Sequence, residues 1–177
     1  MKLTPIGIAG AFAIAIEPRC DERGYFARLY CCETLRRAGA TFGTIRQTSI
    51  SFNAERCTLR GLHFQAEPAP EGKIVRVSRG RIFDCFVDLR RDSPTHRHWF
   101  GTELSAEAQN ALLIPPGCAH GFLTLEDNCA VEYMMDADYV PELARGCRWN
   151  DPAFGIVWPE MPRAMSERDR TWPDYAP

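Results

Sequence analysis

Two histidines occupy apolar, strand-prone segments: His63 in LRGLHFQ (Leu59–Gln65) and His120 in IPPGCAHGF (Ile114–Phe122). Taken alone, His63 fits a core histidine bonded to a backbone carbonyl better than it fits a ligand group. Its company changes that reading. Lys73, Tyr133 and Asp169 supply the other parts needed to move a proton beside a carbonyl group. Imidazole titrates near neutral pH and suits a base, a phenol suits an acid, and developing charge on oxygen needs stabilisation. The chain reads as an acid–base enzyme. Arg60 precedes His63 by three residues, and such residues face opposite ways in a regular strand. Both can serve one site only if the chain bends near Gly61.

Short β-rich segments must carry these groups: Ile45–Phe52, Thr58–Gln65, Lys73–Arg79, Arg81–Leu89, Trp99–Leu104, Asn110–Ile114, Gly121–Leu125 and Cys129–Met135. Gly72, Gly80, Asp92-Ser-Pro94, Pro115-Pro-Gly117 and Asp127-Asn128 punctuate them. Strands this short and evenly spaced predict an all-β sandwich or barrel, with Val75, Val77, Ile82, Phe86 and Leu89 in its core. Cys31–Ala40 reads as a short peripheral helix ending near Gly39. The tail, Asp151–Pro177, has too many prolines for a long helix. Tryptophans 149, 158 and 172 imply that this end of the chain wraps the barrel.

At 177 residues the chain reads as a single domain, 1–177, with enough length for a substantial core. A net charge of −2 exerts no general pull toward nucleic acid or an anionic membrane. No apolar run reaches the ~20 residues that span a bilayer. Met1–Ile16 is interrupted by Pro5, Gly7 and Gly10 and lacks a clear cleavage site, so it reads as the first strands of a cytoplasmic protein. The eight cysteines include no Cys-x-x-Cys pair and lie mostly among aliphatic and aromatic residues. They read as buried or incidental thiols.

The Pro-Gly-x-x-His-Gly-Phe turn around His120 matches the second half of the cupin signature, that of a double-stranded β-helix or jelly-roll barrel. Metal-binding cupins carry His-x-His in the first half. Here Gln65 takes the second of those places, which removes a metal ligand, so no metal is expected. His96-Arg-His98 has the spacing but follows Asp92-Ser-Pro94 and reads as a pair of solvated loop histidines. Leu59–Gln65, Lys73–Val77, Phe83–Arg90, Ser93-Pro94, Leu104-Ser105, Ile114–Phe122, Tyr133, Pro141-Glu142, Trp149–Pro152 and Ser166–Asp169 carry a more specific likeness. In this order and spacing they resemble the dTDP-4-dehydrorhamnose 3,5-epimerase family, from Asp21-Glu-Arg-Gly24 to Asp169.

The resemblance implies a cupin-type jelly-roll homodimer. It implies a cofactor-free isomerase that acts on a nucleotide-diphosphate-linked 4-keto-6-deoxyhexose in dTDP-rhamnose and cell-surface polysaccharide biosynthesis. It also makes His63 the base, Asp169 its carboxylate partner, Tyr133 the acid, and Lys73 the cation near the enolate. Asp84 stands as an alternative partner for the histidine. Arg23, Arg60 and His120 match diphosphate-ligand positions, Phe26 and Gln47 match the segment that reaches the nucleotide, and Tyr139 matches the aromatic that stacks on the base. Departures gather on the nucleotide side: Arg28 and Ala144 replace Glu, Ser49 replaces Asn, and Asp138 replaces the first of two tyrosines. Thymidine is the default nucleotide, with CDP- or GDP-linked sugars as alternatives, and inversion at C3, C5 or both stays open. A metal-dependent cupin enzyme, a ketoisomerase on the same barrel and a non-enzymatic sugar-binding module are the rival readings.

Overall fold

The computed structural model describes residues 1–176. Its strands are β1 (Lys2–Pro5), β2 (Phe12–Ala15), β3 (Arg19–Asp21), β4 (Gly24–Phe26), β5 (Gln47–Asn53), β6 (Leu59–Gln65), β7 (Lys73–Arg79), β8 (Arg81–Asp88), β9 (Trp99–Ser105), β10 (Ala111–Ile114), β11 (Cys118–Thr124), β12 (Cys129–Met135) and β13 (Ala144–Gly146). The helices are short: α1 spans Cys32–Arg37 and α2 spans Glu167–Thr171.

One antiparallel sheet runs β1-β2-β10-β7-β12-β5, and a second runs β13-β6-β11-β8-β9. From β5 to β8 the chain changes sheet at every step, and from β9 to β13 it does so again. That alternation winds a cupin-type jelly roll. Between the sheets lie Val75, Val77, Ile82, Phe86, Leu104, Leu112, Ile114, Phe122 and Val131, all essentially inaccessible. Leu89 differs from its expected place. It is half-buried and packs outside the second sheet with Phe154, Trp158 and Tyr175 of the tail.

The tail crosses that outer face, and the Trp158 indole donates to the Trp149 carbonyl. His96 is not a solvated loop residue. Its Nε2 meets the Tyr175 hydroxyl at 2.9 Å, which ties the loop before β9 to the tail, whereas His98 is exposed. β11 starts three residues earlier than the sequence predicts, because Cys118 already pairs with Asp88 just past Gly117. His120 therefore stands inside a strand rather than in a turn. β3 and β4 form a separate two-stranded ribbon, and Tyr25 and Phe26 on it are exposed. All eight cysteines are free, and five of them are buried.

Candidate active site

A cavity of about 450 Å³ opens where β6 and β11 of one sheet face β5, β7 and β12 of the other. Gln47, Arg60, His63, Lys73, His120, Tyr133 and Tyr139 line it. Arg60 and His63 share it because β6 bulges. His63 pairs with His120 and Arg60 with Phe122, so Gly61 and Leu62 together oppose Gly121 alone. Gly61 has φ +134°, and a Cβ there would fall 2.5 Å from the Gly121 Cα. Only glycine permits this bend and this approach.

The His63 Nε2 meets Asp169 Oδ1 at 2.6 Å. Burial pushes the Asp169 carboxyl up, but hydrogen bonding and charge from His63, with the Ser166 hydroxyl and the Gly61 N–H, outweigh it and hold the group below its ordinary range. Asp169 thus stays ionised behind an imidazole whose side chain is 43% exposed. Ser166 caps the helix by accepting from the Asp169 N–H, which sets the carboxylate at the first turn of α2.

His120 is buried and has its own carboxylate, Asp84 Oδ2, at 2.8 Å. Burial raises the Asp84 carboxyl against the opposing pull of His120. The two candidate carboxylates are therefore both used, one by each histidine. The His120 ring meets Tyr133 edge-to-face, with centroids 5.9 Å apart. Burial also raises the Tyr133 phenol, with a further push from the Asp84 charge and an opposing pull from Arg60, so it stays protonated. His63 comes from one sheet and Tyr133 from the other, and imidazole and phenol border the same space.

Lys73 is buried against Glu71 Oε1, and Arg60 Nε donates to Asn53 Oδ1 at 2.7 Å. Gln65, at the metal-ligand position of the cupin signature, has its amide engaged with backbone. It donates to the Ala69 and Asp138 carbonyls and accepts from the Val140 N–H, which moors the segment bearing Tyr139. Among the described residues no group of three or more His, Cys, Asp or Glu stands close enough to hold a metal ion.

Arg23 and Phe26 lie elsewhere. Arg23 pairs with Asp21 on the ribbon, and Phe26 borders a separate cleft with Arg28. Of the departing residues, Ser49 lines the main cavity. Ala144 borders an adjoining cavity of about 310 Å³ that shares Arg60, His63, Glu71 and Tyr139. Asp138 pairs with Arg46. Sequence reasoning missed Glu71 and Asn53 as partners of the cavity's cations. The spacing of Glu71 two residues before Lys73, which puts both on one side of an extended chain, is the signal for the first.

A family model described as dTDP-4-dehydrorhamnose 3,5-epimerase matches residues 5–176. The dTDP-4-dehydrorhamnose 3,5-epimerase of Methanothermobacter thermautotrophicus is 45% identical over 165 residues, covering 90% of this chain and 88% of that protein. The solved dTDP-4-dehydrorhamnose 3,5-epimerase of Bacillus anthracis, with TDP and PPi bound, has a TM-score of 0.93 at 37% identity, covering 98% of this chain and 99% of that one. A double mutant of ChmJ, a 3'-monoepimerase from Streptomyces bikiniensis, in complex with dTDP, has a TM-score of 0.86 at 28% identity, covering 96% and 85%. Its changes, histidine to asparagine and tyrosine to phenylalanine, are separated in sequence by the same interval as His63 and Tyr133. With the motifs, the barrel and these likenesses in agreement, the chain belongs to the dTDP-4-dehydrorhamnose 3,5-epimerase family.

Proposed function

We propose that this chain epimerises a nucleotide-linked 4-keto-6-deoxyhexose at C3, C5 or both, with no cofactor. Conversion of dTDP-4-dehydro-6-deoxy-D-glucose to dTDP-4-dehydro-L-rhamnose is the default reaction. The observation that carries the reading is the shared cavity, with a carboxylate-backed imidazole on one sheet and a protonated phenol on the other.

His63 removes the proton from a carbon beside the C4 ketone, and the C–H electron pair moves into an enolate. Asp169 stabilises the resulting imidazolium, and Lys73 stabilises the charge on oxygen. Tyr133 returns a proton from the opposite face, which inverts the centre. The imidazolium then loses its proton to water and the phenolate regains one, restoring the starting state. Arg60 and His120 take the diphosphate, Arg favouring paired contacts with its oxygens. Gln47 and Tyr139 take the nucleoside.

Arg23 and Phe26 fit this scheme in a homodimer, where the exposed ribbon of one protomer reaches the cavity of the other. A cytoplasmic enzyme agrees with eight unpaired thiols, and no helix among the described residues is long and apolar enough to cross a membrane. A panel of dTDP-, CDP-, GDP- and UDP-linked 4-keto-6-deoxy sugars, with NMR of the products, tests the reading. Inverted C3 or C5 on the dTDP sugar is expected. A ketone relocated to C3, or no change in any member of the panel, would contradict it.

A further inference from the structure

Asp169 rides on α2, a single turn that cannot hold itself in place. Ser166 fixes its start, and Trp172 stands at its other end. The Trp172 indole lies flat on Gly146 of β13, where a Cβ would fall 2.3 Å from the ring. Gly146 pairs directly with His63 across β13 and β6. The indole also meets the His63 ring edge-to-face, with centroids 6.3 Å apart, and the Arg168 guanidinium covers it at 4.8 Å. Its Nε1 is buried without a hydrogen-bond partner among the described residues. An orphaned buried donor opposes that placement, so packing against Gly146 and His63 holds the ring there rather than any bond of its own.

We propose that Trp172 is the positioning residue of the His63–Asp169 pair: wedged between Gly146 and Arg168, it sets α2 at the depth where the carboxylate meets the imidazole. The proposal rests on His63 as the base. A shift of about 1 Å in such a pair lowers turnover by up to about 10²-fold, so the wedge acts on rate rather than on substrate affinity. Gly146 belongs to the same device, because any side chain there would lift the ring.

Steady-state kinetics and proton NMR of Trp172→Ala, Trp172→Phe, Gly146→Ala and the Trp172→Ala/Gly146→Ala double variant test it. Trp172→Ala is expected to lower kcat about 10- to 100-fold with KM within about threefold, and Trp172→Phe to recover most of the loss. Gly146→Ala reaches the same wedge from its other side, so the double variant should be no worse than Trp172→Ala alone. The downfield resonance of the proton shared by His63 and Asp169 should weaken with the loss of the indole. An unchanged resonance in Trp172→Ala overturns the proposal, as do a kcat within about twofold of wild type, a loss confined to KM, or additive losses in the double variant. A resonance that weakens while wild-type protein turns over no keto-sugar nucleotide upholds the wedge and removes the epimerase reading instead.

Discussion

The molecule holds two histidine–carboxylate pairs on neighbouring strands, and they differ in exposure. His63–Asp169 opens to the cavity, with the imidazole 43% exposed over a carboxylate held below its usual range. His120–Asp84 is closed, at 4% and 0% exposure, and burial raises its carboxyl. The same two groups therefore suit different work. An imidazole with one nitrogen anchored and an open flank can take up and release protons. A nearly buried pair shows the cavity only an edge of its imidazole, which suits holding a ligand and fixing the edge-to-face contact that sets Tyr133 rather than exchanging protons. Pairing alone does not mark a base; access does.

Four substitutions within these two pairs would break or sharpen that contrast. The largest effect is expected at the open pair: His63→Asn should lower turnover by at least ~10²–10⁴-fold, read in steady-state assays with folding checked by circular dichroism. His120→Asn should act mainly through KM. Asp169→Asn should lower kcat by about 10²-fold, because the imidazole loses the group that orients it and stabilises its charge. Equal losses in His63→Asn and His120→Asn would erase the distinction.

At the closed pair the expected currency is stability. Asp84→Ala leaves a buried imidazole N–H without a partner, which costs about 2 kcal/mol, measured by thermal or urea unfolding. The smallest effect concerns acid. Burial pushes the Asp88 carboxyl up, but bonds from Arg90, Ser93 and Thr95 overcome it and bring the group down to about 2. A lowered folded-state value stabilises the protein above the unfolded value of about 4, and that benefit disappears as pH falls toward 2. Unfolding free energy should drop by up to about 2 kcal/mol across that window, and Asp88→Asn should flatten the slope.

Much of this was legible in the residues. β7 and β12 span the β-rich segments read from the sequence, because Gly72 and Gly80 bound the first and Asp127-Asn128 precede the second. The chemistry-bearing side chains of the main cavity were readable from motif spacing, and the bend joining Arg60 to His63 from Gly61. Three-residue strands such as β3, β4 and β13 carry too little periodicity to be seen. Which carboxylate serves which histidine depends on β8–β11 register and on how the tail folds back, and neither is a local property. Trp172 was legible as buried aromatic surface, but its place beside His63 required Gly146 to be known as a strand partner. Arg23 and Phe26 lie outside the cavity of their own chain, on a ribbon of three-residue strands whose place no local pattern reveals.

The most direct test of the central claim is incubation of the enzyme with dTDP-4-dehydro-6-deoxy-D-glucose in deuterium oxide, followed by NMR of the sugar. Exchange of the abstracted proton with solvent predicts deuterium at C3, at C5 or at both in wild-type protein, and almost none with His63→Asn. Protium retained at both carbons in active, folded wild-type enzyme would contradict proton transfer between this imidazole and this phenol.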